Sequence, residues 1–254
     1  MQSSSSKQRA LPLFLISLLI IATLSGQTLL SGQTVKPKRR VPTGGRLGIV
    51  VDERLSVLRA APSVSAELVA RLSRGRFVAI IGTQRSKDGL TFYLVKVTSR
   101  TRGWIQSNAV VSAAQAADDK RLLRLVRGSE DFDLIARARI FLDIFPHSSL
   151  RPAVLLLYGD AAEEAAGKLS RDAGRRLNQS EMTAGGAPGF SFFMNFNGLD
   201  RYNRQGLRFV FDSAARQFHY DGAAWREITR RYPQSPEALA ARERLKALTA
   251  GSAR

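Results

Sequence analysis

The chain of 254 residues contains no cysteine. A thiol nucleophile, a disulfide framework, a cysteine-ligated zinc site and a lipid-modified N-terminal cysteine are therefore excluded. Histidine is nearly absent too, with only His147 and His219. Two imidazoles without carboxylates at matched spacing do not make a metal site. His147 falls in a turn, and His219 stands beside Tyr220 at the expected start of a helix. The adjacent acids Asp118-Asp119 and Glu163-Glu164 diverge around a helix instead of converging on one point. No GxSxG, HExxH or phosphate-binding glycine loop is present. No residue is assigned to catalysis, to a metal or to a cofactor, and the chain is expected not to be an enzyme.

Acidic residues are also in short supply. Asp and Glu number 21 against 39 Lys and Arg, for a net charge of +18. Residues 1–46 hold seven bases and no acids, 47–111 hold ten against four, and 112–254 hold twenty-two against seventeen. The excess is thus spread along the chain and densest at its start. A nucleic-acid binder gathers charge on one face among stacking aromatics. No recognition-helix pattern is present, and no nucleic-acid partner is expected.

There is one long apolar run, LPLFLISLLIIATL over residues 11–24, preceded by Lys7 and Arg9. A basic segment followed by an apolar run of this length is the pattern of a secretory signal. It is shorter than the ~20 residues a spanning helix needs. Residues 1–30 are expected to be a signal peptide or an N-terminal membrane anchor. The remainder is then exported, to the periplasm or the outer face of the cytoplasmic membrane. Residues 31–46 form a basic Pro/Gly linker, in which Lys36, Lys38, Arg39 and Arg40 suit an anionic membrane surface. Acidic envelope polymers or acidic proteins are the other partners that fit the charge.

Between 47 and 112, short runs of Val, Ile, Leu and aromatics alternate with polar residues and are separated by Gly, Pro, Ser and Asp. Evenly spaced short strands of this kind predict a small all-β barrel. Gly75 and Gly89 stand where tight turns need positive φ. In the run 91–97, Tyr93, Val95 and Val97 share one face of a strand, with Phe92 and Leu94 on the other. Three pieces carry a resemblance. The first is Leu55-Ser56-Val57, then Leu58, then Arg59-Ala60-Ala61-Pro62-Ser63. The second is the pair of runs 68–72 and 77–82 around the turn Ser73-Arg74-Gly75-Arg76. The third is Thr91-Phe92-Tyr93-Leu94-Val95 followed by Gly103-Trp104-Ile105. In this order they resemble the bacterial SH3-like domain, a binding module common in envelope proteins. Leu58 is one residue more than that family's usual spacing and predicts a bulge. Phe92 stands where the family usually has Trp. Phe92, Tyr93 and Trp104 have two readings: filler of the barrel core, or the rim of a groove for an extended peptide.

From about 115 to 250 the apolar period becomes helical. Leu122, Leu123, Leu125 and Val126 predict a helix ended by Gly128, and a second runs from about Asp131 to Pro146. A third begins near Ser149 with Pro152 in its first turn. Phe145-Pro146-His147-Ser148 recurs as Tyr232-Pro233-Gln234-Ser235, with Phe141 and Ile228 four residues before each copy. Pro stops one helix and Ser caps the next. This unit resembles a tetratricopeptide-type repeat, which implies an all-α scaffold for protein partners. Its competitor is an ordinary helical bundle. Residues 199–218, with Tyr202, Leu207, Phe211, Ala214 and Phe218, are expected to hold a further degenerate helix pair. An aromatic, Gly-rich insertion spans 178–198. There Phe190, Phe192, Phe193 and Phe196 either fill the helical core or form a partner-contact loop.

Two functions compete. One is a non-catalytic, exported binding and scaffold protein of the cell envelope, whose SH3-like module holds peptide or peptidoglycan while the helices bind proteins. The other is an accessory subunit of a cell-wall hydrolase, or such a hydrolase itself.

Overall fold

The computed structural model describes residues 42–251. The 1–30 segment and the cations Lys36, Lys38, Arg39 and Arg40 lie outside the described residues. Among the described residues no helix is long and apolar enough to cross a membrane.

A seven-stranded antiparallel sheet comes first. Its strands are β1 (Arg46–Val50), β2 (Val57–Arg59), β3 (Leu68–Arg71), β4 (Phe77–Arg85), β5 (Thr91–Lys96), β6 (Arg102–Gln106) and β7 (Val110–Val111). They join in the order β3-β2-β6-β5-β4-β1-β7. Gly75 and Gly89 take φ of +78° and +76° in the turns flanking β4. The β2–β3 ladder slips at Leu58/Arg59, where the sequence predicts a bulge, but the surplus residue is Val69 on the facing strand. A second slip, at Ile80/Gly82, puts Ile81 out of register with β5. Bulges bend a strand and raise its twist. Here β4 pairs with β1 over Phe77–Ile80 and with β5 from Ala79 to Arg85.

Side chains alternating along these strands place Val50, Leu58, Val78, Ile80, Val95, Ile105 and Val110 in one apolar cluster. At Gly103 a Cβ would lie 2.8 Å from the Arg59 carbonyl oxygen and from Leu58 Cγ. Only glycine lets β6 come this close to β2. The β1 and β7 runs do not alternate in character. Val50 and Val110 face the sheet interior, while Ile49, Val51 and Val111 join the core of the helical part. A strand buried on both faces reads as a continuous apolar run.

The helical part begins with α1 (Asp118–Arg127), α2 (Asp131–Ile144) and α3 (Arg151–Arg176). Gly128 follows α1 and Pro152 stands in the first turn of α3, as their spacing predicts. Three short helices follow: α4 (Gln179–Gly185), α5 (Gly189–Met194) and α6 (Asp200–Asn203). After them come β8 (Phe209–Asp212), β9 (Gln217–Tyr220), α7 (Ala223–Arg231) and α8 (Glu237–Gly251). At 26 residues, α3 is about 39 Å long, and α2, α7, α8 and β9 all pack on it. At Gly159 of α3 a Cβ would come within 2.4 Å of the buried Trp225 indole nitrogen. The two Pro-containing turns share their bonding. Phe145 N–H donates to Phe141 C=O at 2.9 Å, and Tyr232 N–H donates to Ile228 C=O at 2.8 Å. The serines differ. Ser148 Oγ accepts Leu150 N–H at 3.2 Å, whereas the buried Ser235 hydroxyl has no partner.

Two expectations are corrected. Residues 199–218 do not form a helix pair, and the part after 115 is not all-α, because β8 and β9 make an antiparallel hairpin. The segment carries period two as well as period 3.6: Phe209 faces Tyr220 and Phe211 faces Phe218. Asp212 Oδ1 accepts the N–H groups of Ala214 and Ala215 at 2.8 and 3.1 Å, building the tight turn. Aromatic side chains favour the pleated surface. His219 accordingly lies on β9 and not at a helix start.

Sheet and helices meet along a polar seam around their shared core. Buried Arg137 of α2 donates from Nε to the Val51 carbonyl at 3.1 Å and from Nη1 to Ser129 Oγ at 2.5 Å. Arg74 grips Asp133 with both terminal nitrogens, at 2.8 and 3.1 Å. Asp118 accepts Ser112 N–H at 2.8 Å, and Arg121 donates to the Asn108 carbonyl at 2.8 Å. The hydrogen bond from Arg74 holds the Asp133 carboxyl below its ordinary range. The folded state thus binds that proton less readily than the unfolded chain does. The resulting stability is fully present above the ordinary carboxylate pKa and is lost as pH falls through the depressed folded value. Asp133 is half-exposed, so the pair contributes about 0.2–1 kcal/mol. Thermal melts of wild type and Asp133→Asn across the acid range check this. The variant is expected to melt lower near neutral pH and to converge on wild type in acid. Parallel curves at all pH values would refute it.

Candidate functional site

The β3–β4 turn, the β5–β6 turn and the entering chain at Pro42-Thr43 enclose a cleft of about 980 Å³. Both turns are tied down by their own backbone. Gly75 N–H donates to Val50 C=O at 2.8 Å, and Val50 N–H donates to Arg76 C=O at 3.0 Å. Val97 N–H donates to Thr101 C=O at 2.9 Å, while Thr98 Oγ1 accepts Arg100 and Thr101 N–H groups at 3.2 and 3.0 Å. Leu72, Phe77 and Val97 form an apolar floor. Arg71, Arg74, Arg76 and Lys96 line the walls, with no carboxylate among the lining residues.

These four cations are not equivalent. Arg74 is committed to the seam through Asp133 and Glu53. Arg71 and Arg76 are exposed and Lys96 is half-buried. None of these three side chains forms a hydrogen bond or ion pair among the described residues. A smaller cavity of about 270 Å³ lies on the other side of Arg74. There the charges are satisfied, Arg74 by Asp133 and Arg139 by Asp143 at 3.0 Å. The large cleft therefore holds, above apolar surface, positive side chains without a partner among the described residues, an arrangement suited to gripping oxyanions.

The aromatics singled out from sequence do not make one groove. Cross-strand pairing puts Leu94 opposite Trp104, and Phe92 opposite Gln106, on one face of β5–β6. Tyr93 pairs with Ile105 on the other face and packs against the sheet's interior cluster. Phe92 is 1% exposed, in keeping with the core reading of the two. Trp104 and Tyr93 are half-buried. The Arg46 guanidinium stands 5.6 Å from the Tyr93 ring centre.

The insertion 178–198 divides likewise. Phe193, 2% exposed, stacks on Phe211 with ring centres 4.4 Å apart, and Phe196 is buried. Both are buried, in keeping with the core reading of the two. Phe192 is half-buried, and Phe190, 53% exposed, is the ring of the four left facing outward. Asn178 Oδ1 caps α4, accepting Ser180 and Glu181 N–H groups at 2.9 and 3.4 Å.

His147 is exposed in its turn. His219 Nδ1 lies 2.9 Å from Glu163 Oε1, and Glu163 Oε2 accepts Tyr220 N–H at 2.7 Å, fastening the hairpin to α3. Burial pushes the Tyr158 phenol up to about 12. It donates to the Gln205 carbonyl at 3.2 Å as a structural bond. Among the described residues no group of three or more His, Asp or Glu is placed to hold a metal ion.

Sequence reasoning passed over Arg71, Arg76 and Lys96. The signal was available in the spacing Arg71, Arg74, Arg76 around Gly75 and in the ten-to-four excess of bases over acids across 47–111. What it lacked was the fold that brings Lys96 beside them. Comparisons of the chain with family models, with curated proteins and with solved structures find no match.

The division of the aromatics has a measurable consequence. Phe92→Ala should cost about 3–5 kcal/mol in equilibrium denaturation, as for a buried ring. Phe190→Ala should change stability by about 0.5 kcal/mol or less, as for a surface site. Equal effects of the two would refute the assignment.

Proposed function

We propose that the chain is an exported, non-catalytic binding and scaffold protein of the cell envelope. In this account an SH3-like barrel is the ligand-holding unit, for peptide or peptidoglycan, and a tetratricopeptide-like helical part receives protein partners. The observation that carries it is the open cleft of about 980 Å³, walled by Arg71, Arg76 and Lys96 and free of carboxylates. An SH3-like barrel is supported by the bulged, antiparallel sheet, in which Gly103-Trp104-Ile105 joins β2 to β5, around one apolar cluster. A repeat scaffold is supported by two helix hairpins, α2–α3 and α7–α8, that share a Pro turn with the same backbone bond. Export rests on Lys7 and Arg9 ahead of the apolar run at 11–24.

Incubation of the purified protein with peptidoglycan separates holding from cutting. The protein is expected to sediment with the polymer while no soluble fragments appear. Release of fragments would overturn the non-catalytic assignment. Failure to sediment would remove the wall as ligand, and recovery of the full-length protein from the cytosol of its host would overturn export.

A further inference from the structure

We infer that the basic cleft takes a short acidic peptide in extended conformation, added as a strand along β3. This rests on the assignment of the sheet as the ligand-holding unit and specifies what it holds. Two independent features meet at one place. The first is charge: Arg71, Arg76 and Lys96 project into the cleft without a partner among the described residues, and no acidic residue lines it. Unpaired cations at a concave surface attract carboxylates and form strong, charge-assisted hydrogen bonds with them.

The second feature is the main chain. Among the described residues β3 ends the strand order of the sheet and pairs only with β2. Its Ala70 and Arg71, with Leu72 just after, border the cleft. An edge strand offers a row of N–H and C=O groups to another chain, and strand addition is how many domains hold extended peptides. The bulge at Val69 disrupts the first half of β3. In the cleft-side half Leu72 N–H donates to Ser56 C=O at 3.0 Å and Leu72 C=O accepts from Ser56 Oγ, so with alternation along the strand the main-chain groups left for an added strand are those of Arg71. Leu68 and Val69, 52% and 45% exposed, leave apolar surface at the far end for one side chain of the ligand.

These features select among anionic ligands. Single-stranded nucleic acid is gripped by stacking rings, and Phe77, half-buried, is the one aromatic among the described residues that line the cleft. A lipid surface uses charge but has no use for a strand edge. An acidic peptide uses both.

The test uses the full chain in neutral detergent and fluorescence anisotropy. The probe is a labelled peptide of alternating valine and glutamate. Comparison probes are its lysine counterpart, its alternately N-methylated form, a thymidine oligonucleotide and nanodiscs containing phosphatidylglycerol. The glutamate peptide should bind, weaken with added salt, and lose about tenfold or more in affinity with Arg71→Glu and with Arg76→Glu. Both arginines are exposed, so circular dichroism of the variants should match wild type. N-methylation should cost about tenfold or more, because it removes main-chain donors while keeping every charge.

No binding of the glutamate peptide would overturn the inference. Equal binding of the N-methylated form would overturn strand addition. Tighter binding of the oligonucleotide or nanodiscs would reassign the cleft to that class. Peptidoglycan sedimentation that survives Arg76→Glu, with no peptide binding, would leave the broader function standing while this inference fails. Loss of both would sink both.

Discussion

The β1–β7 pair is buried on both faces, and the remaining elements are arranged around it. Val50 and Val110 belong to the interior of the sheet, and Ile49, Val51 and Val111 to the core of the helices. Burying a strand twice leaves its backbone away from water, so every polar group there needs a partner. Ladder bonds serve most of them. The Val51 carbonyl lies past the end of β1 and is served by the Arg137 guanidinium. Burial pushes that guanidinium below its usual pKa, opposed by the nearby acids Asp133 and Asp52. A buried cation is tolerated only when its donors are met. Val51 and Ser129 meet them, at the junction of strand, turn and helix.

That seam divides the molecule's charge into two populations. Arg74, Arg121, Arg137 and Arg151 are drawn into the structure by carbonyls and carboxylates. Arg71, Arg76 and Lys96 are not. They stand within a few residues of Arg74 in the fold or the chain, yet face a cleft with no acid in its lining. The proposed binding role depends on this division and not on net charge. A cleft whose cations were already neutralised, like the smaller cavity at Asp133, would have nothing to offer an anion. The Gly75 turn separates the two environments: Arg74 on one side reaches α2, and Arg76 on the other faces the cleft.

Much of the architecture was legible. The Gly75 and Gly89 turns, the alternation of Tyr93, Val95 and Val97, the stop at Gly128 and the Pro152 start all follow from local chemistry. They depend on φ, on side-chain period or on a missing N–H, which a residue carries wherever it goes. The segment 199–218 was misjudged because its aromatics fit two periods at once. The Asp212 turn and the fit of Phe211 and Phe218 against Phe193 favour the hairpin. Phe92 keeps two readings in sequence, core or rim, because alternation says which face a ring occupies and not whether that face is covered.

Short stretches of sequence set the positions of turns and helix ends, the apolar faces of the strands, the exclusion of thiol chemistry and the surplus of positive charge. Each of these is a property of one residue or of a short window. Tertiary structure alone decided which arginines are neutralised and which are free. It also decided that the β1–β7 pair serves two cores, and that Lys96 stands with Arg71 and Arg76 across a cleft. Those outcomes depend on distances between residues far apart in the chain, and electrostatic interaction and burial both follow distance in space and not separation in sequence.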